Sequence, residues 1–180
     1  MSEACYTEHL HLAETFTYLD GLPTIPAASL LPSQRCKPLA VLDSNVILDL
    51  WYWYDKQAQS LRQAIEYKRL SLVSSVSCLK ELAAVLSRTR FALNVQEQKK
   101  FISELLTRLV LVEPTIVGRV RCKDPDDEKF LNLAFEIQAD FLFTKDKKVL
   151  RAARKLRCYG TKTMRPADFD ETQIFPTLSE

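Results

Sequence analysis

Short apolar runs recur along this chain from Pro38 onward, and each is followed by a segment with apolar residues at helical spacing. The first run, Leu39-Ala-Val-Leu42, ends on Asp43. No polar residue alternates through it, so it reads as a strand buried on both faces. Leu70-Ser-Leu-Val73, Leu109-Val-Leu-Val112 and Phe141-Leu-Phe-Thr144 repeat the pattern, and a weaker strand is expected near Cys158 to Met164. Between these runs the spacing predicts helices. The first starts at Ser44 or Asn45 and continues through Trp51 to Tyr67. The second is capped by Ser75 or Ser77 and carries Leu79, Leu82, Ala83 and Leu86. A third runs from Val95 to Leu109. A fourth, capped by Asp126 or Asp127, carries Phe130, Leu131, Ala134 and Ile137. The last is a basic helix from Lys147 to Leu156. Strands alternating with helices imply an α/β fold: a parallel sheet of four to five strands sandwiched by helices.

The chain has 180 residues, enough for one domain that buries a sizeable core without disulfides or a structural metal. Its five cysteines (Cys5, Cys36, Cys78, Cys122 and Cys158) are odd in number, widely spaced and form no CxxC, which argues for reduced thiols and a cytoplasmic protein. No run approaches the ~18 apolar residues of a membrane span, and the opening residues lack the pattern of a secretory leader. Residues 1–37 read as an N-terminal extension. Leu12, Phe16 and Leu19 suggest a helix over 8–20, and Pro23, Pro26 and Pro32 break up the remainder of that extension. His9 and His11 form an HxH pair with no third ligand nearby. The domain proper is expected over 38–180.

In open α/β sheets ligands bind beyond the carboxyl ends of the strands, and here those ends carry acids. Asp43 closes the first strand, and Asp146 lies two residues past the fourth. Glu81 is on the helix after the second strand. Asp124, Asp126 and Asp127 precede or open the helix after the third. Each has an ordinary explanation as a helix cap, a turn residue or a solvated face. Together they imply a cleft of four or more carboxylates, which is costly without compensation. An all-oxygen set without His or Cys suits Mg2+ or Mn2+. One or two such ions would serve attack of water on a phosphodiester.

These residues carry a family resemblance. Val41-Leu-Asp43-Ser-Asn45-Val resembles the opening motif of PIN-domain nucleases, and Ser77-Cys-Leu-Lys-Glu81-Leu their second acidic motif. Asp124-Pro-Asp-Asp127-Glu-Lys-Phe-Leu131 and Ala139-Asp-Phe-Leu-Phe-Thr144-Lys-Asp146 resemble the third and fourth. The similarity spans roughly residues 38–170 and is nearest to bacterial VapC-like toxins. It implies a Mg2+- or Mn2+-dependent ribonuclease with a cognate antitoxin and a tendency to dimerise. By position it implies Asp43, Glu81, Asp127 and Asp146 as catalytic metal ligands, with Asp124 an additional or competing ligand to Asp127. Asn45 and Thr144 would orient the carboxylates. Lys145 stands where this subgroup would carry glycine, placed to lean into the acidic cleft or to contact RNA phosphate.

Residues 145–165 hold nine cations against the single acid Asp146. Lys145, Lys147, Lys148, Arg151 and Arg154 are the expected RNA-phosphate contacts, sequence-independent and salt-sensitive; the plainer reading is a solvated face. The run Trp51-Tyr52-Trp53-Tyr54 would divide between core and an exposed stacking or interface surface. Two other nuclease-like or PIN-like readings compete: a PIN-fold module that binds RNA or protein without catalysis, and a housekeeping RNA-processing nuclease. A phosphoryl-transfer enzyme of the haloacid type would want a second aspartate where Asn45 stands, and a receiver domain would want its acceptor where Glu113-Pro114 lies.

Overall fold

The computed structural model describes residues 3–30 and 35–174, with the side chains of residues 3–11 and 173–174 outside that description. The His9–His11 pair therefore lies outside the described side chains. The chain order is α1 (Glu3–Asp20), β1 (Ile25–Pro26), β2 (Leu39–Leu42), α2 (Ser44–Trp51), α3 (Gln59–Glu66), β3 (Ser71–Ser75), α4 (Val76–Leu86), α5 (Val95–Leu106), β4 (Leu109–Glu113), α6 (Glu128–Glu136), β5 (Phe141–Phe143), α7 (Lys147–Ala152), β6 (Lys162–Met164) and α8 (Glu171–Ile174).

The six strands form one all-parallel sheet in the order β1-β4-β3-β2-β5-β6. β2 is central and all four of its residues are buried. Successive side chains of a strand point to opposite faces. Ala40 and Leu42 accordingly join a core with α2, α3, α4 and α5, and Leu39 and Val41 join a second core with α6 and α7. The α/β sandwich is the architecture that the strand–helix alternation implies.

The sheet has one strand more than the four to five expected. Residues 3–30 supply it, in the segment read as an extension. β1 pairs with β4, Ile25 opposite Val112. Pro26 has no N–H to donate, which an edge strand tolerates. α1 packs on α4 and α5, with Leu19 fully buried.

Local chemistry sets the helix boundaries. The long helix expected from residue 44 to Tyr67 is two helices. Asp55 accepts a hydrogen bond from the Gln57 N–H and starts a tight turn over 56–58. Such local bonding competes with continued helix. Ser75 caps α4, and Asn94 with Glu97 forms a reciprocal capping box on α5. Leu109, placed by its spacing on the α5 core face, belongs to β4.

Candidate active site

Asp43 follows the last residue of β2 and is the N-cap of α2. Its backbone N–H donates to the Phe143 carbonyl at 3.0 Å, which ties it to β5. One carboxylate oxygen accepts from the Thr144 hydroxyl at 2.6 Å, and the other from the Asn45 backbone N–H at 3.3 Å. The residue is 1% exposed. Burial pushes its carboxyl above the usual range; the Thr144 and Asn45 bonds oppose the shift, and the fields of Glu81 and Asp146 add to it.

Thr144 also accepts from the Asp146 backbone N–H at 3.0 Å. One buried hydroxyl thus links two of the expected ligands. Asp146 is the N-cap of α7 and accepts from the N–H groups of Lys148 and Val149. Asn45 serves Asp43 through its backbone; its amide side chain is exposed.

Glu81 and Asp127 approach from the other direction. Glu81 lies in the middle of α4, next to buried Leu82. Its Oε2 is buried and pairs with the Lys129 ammonium at 2.6 Å. Asp127 ends the turn Pro125–Asp127 and directly precedes α6. It occupies the N-cap position, yet its side chain makes no capping bond. Its carboxyl is pushed up to about 6, first by burial and then by Asp43, Asp124, Asp146 and Glu81. Asp124 caps that turn instead, accepting from the Asp126 N–H. It also pairs with Lys148 at 3.0 Å, and this pairing holds its carboxyl below the usual range.

The acids therefore share one edge of the sheet and feel one another's fields. Among the described residues, no three His, Cys, Asp or Glu side chains converge tightly enough to enclose an ion as placed.

The basic residues divide. Lys145 pairs with Asp49 on α2, its ammonium 2.6 and 2.8 Å from the two oxygens. Asp49 is only 6% exposed, so this partner compensates a nearly buried charge. Lys147, Arg151 and Arg154 are exposed on the ridge of α7 and the turn that continues it. Beside α7 runs a groove of about 440 Å3 lined by Arg121, Lys123, Lys147, Lys148, Arg151 and Lys155. Arg121 and Lys123 were absent from the expected phosphate-binding set. Their signal was the run Arg119-Val-Arg121-Cys-Lys123 immediately before Asp124. In the aromatic run, Trp51 and Tyr52 are partly buried against the core, while Trp53 and Tyr54 are 56% and 62% exposed.

Fold and site together define a parallel α/β protein whose central strands deliver carboxylates to one cleft. Residues 39–148 match the family model of the PIN domain, and the chain belongs to that family. Among solved structures, it is similar to VapBC2 from Rickettsia felis bound to a DNA fragment from their promoter, with a TM-score of 0.48 and 14% identity, over 71% of this chain and 98% of that one. No curated protein matches. Among the described residues, no helix is long and apolar enough to cross a membrane.

Proposed function

We propose that this chain is a Mg2+- or Mn2+-dependent endoribonuclease and the toxin of a toxin–antitoxin pair, acting in the cytoplasm and inhibited by a cognate antitoxin. One observation carries the nuclease reading: Asp43 at the end of β2, Glu81 on α4, Asp127 before α6 and Asp146 at the start of α7 meet closely enough that the other three add to the burial that chiefly raises the Asp127 carboxyl to about 6. A fold gathers repelling acids at a cost, and a divalent cation is the usual compensation. The donor set fits such an ion, being all oxygen and including an Asp127 carboxylate that makes no capping bond. The toxin reading rests on the resemblance of the four motifs to VapC-like proteins, which also suggests a homodimer.

Asp43, Asp127 and Asp146 would hold the ion, with Glu81 beside them. When bound, the ion supplies an activated water and neutralises charge on the phosphate. Thr144 sets the relative positions of Asp43 and Asp146. Asp124 holds the turn that presents Asp127. Lys147, Lys148 and Arg151 would bind RNA phosphates along the groove that starts beside Asp124, with exposed Arg154 adding a contact outside it.

The test is cleavage of single-stranded RNA by the purified full chain. Cutting is expected with Mn2+ or Mg2+, lost with EDTA, and lost in Asp43→Asn and Asp146→Asn while melting and circular dichroism stay near wild type. Undiminished cutting by those variants overturns the assignment of the site. Arg151→Ala with Arg154→Ala should weaken RNA binding and flatten its salt dependence by about 0.7 in log–log slope for each phosphate no longer neutralised.

A further inference from the structure

We infer that Lys129 is a built-in cation of this cleft: it holds Glu81 as an ion pair, so that the cleft takes one divalent ion instead of two. The inference deepens the proposed function and rests on it.

A lysine in the first turn of a helix is normally disfavoured, because the helix N-terminus is already positive. Lys129 is the second residue of α6. It is also not a solvated surface lysine. Its side chain is 24% exposed and that of Glu81 22%. Something must offset both the dipole and the partial burial, and the acidic edge does so. The ammonium lies 2.6 Å from Glu81 Oε2, a buried atom whose charge it compensates. The positive field also reaches Asp124 and the Cys78 thiol, which places Lys129 between α4 and the turn that carries Asp127.

Charge counting gives the consequence. Asp43, Glu81, Asp127 and Asp146 together could offset two divalent ions. With Glu81 paired to one ammonium, a single ion cancels most of the remaining charge. A second ion at Glu81 would have to break the pair with Lys129 and leave that ammonium half-buried without a partner, which is costly. Glu81 is thereby withheld by a neighbour from the same motif that supplies Asp127.

Calorimetric titration of Mn2+ into the metal-free full-length protein tests this. Wild type and Lys129→Arg are expected to bind one ion. Lys129→Met is expected to bind two, with the first held about threefold to tenfold more tightly because a nearby positive charge is gone. Tighter binding is the discriminating sign, since a lysine that merely supported the fold would weaken metal binding when removed. The double variant Glu81→Gln with Lys129→Met should return to one ion. Thermal melts of each variant identify any that fails to fold, and the wild-type stoichiometry stands independently of them. Two ions in wild type, or a folded Lys129→Met with unchanged stoichiometry and unchanged or weaker affinity, overturns the inference while leaving the nuclease reading intact. No Mn2+ binding by wild type overturns both.

Discussion

Asp43 and Asp146 on one side of the cleft, and Glu81 and Asp127 on the other, are held by different means. The first pair is held by hydrogen bonds. Thr144 donates to Asp43 and accepts from the Asp146 N–H, β2 and β5 are paired beneath them, and Asp146 caps α7. The second pair has no such net. Glu81 is held at its buried oxygen by the Lys129 ammonium alone, and Asp127 makes no capping bond and is repelled by its neighbours. Directional bonds fix geometry, whereas charge pairs and repulsion leave it responsive to a bound ligand. One wall of the cleft is thus fixed by directional bonds and the other is set by charge.

The largest effect on this contrast is expected from Thr144→Val. It removes the hydroxyl that links both fixed acids and leaves buried groups unpaired. Urea unfolding should show a loss of about 1–3 kcal/mol, and Mn2+ affinity should fall about 10–100-fold, as for other residues that orient ligands. A variant with wild-type affinity would mean that the fixed wall needs no such link.

A smaller effect is expected from Lys145→Met, which strands the nearly buried Asp49 on α2. Because Lys145 is itself half-exposed, solvent screens the pair and the cost should be about 1 kcal/mol, below that of a fully buried pair. Adding Asp49→Asn should recover most of it, and the double-mutant cycle measures the coupling. Additive losses would show that the pair does not join α2 to the turn before α7.

The smallest effect has the opposite sign. Asp127 has a folded-state value of about 6 against 3.8 for the free group. Between those values the folded chain keeps a proton that the unfolded chain has released, so stability falls as pH rises through this window. Below it the carboxyl costs nothing, and above it the cost is complete. Metal-free Asp127→Asn should therefore melt about 1–3 °C above wild type at neutral pH and match it at pH 4. An Asp127→Asn melting point below wild type at neutral pH would remove the claim that this wall is repulsive.

The strands and the acids that follow them were legible from residue order alone. Leu39–Leu42 is apolar throughout because both faces are covered, and Asp43 comes next because chain leaving a strand needs a polar residue to begin a helix. Other features were not legible. The strand at Ile25–Pro26 is too short and too proline-rich to announce itself, and it exists because the outer edge of β4 stands open beside it. Of the two expected helix caps, Asp126 or Asp127, Asp127 takes the N-cap position of α6 without a side-chain bond, and the capping bond is made one turn earlier by Asp124. Nor does the sequence show the partner of Lys145: expected to lean into the acidic cleft or to contact RNA phosphate, it pairs with Asp49, 96 residues away in the chain.

Sequence by itself determined the alternation of strands and helices and the delivery of carboxylates to one edge of the sheet. Both arise from local rules of periodicity, capping and connection. The tertiary structure alone decided which lysine meets which acid, and hence which carboxylates are compensated and which are left to repel. Charges interact through space over a few ångströms, and distance along the chain carries no record of that.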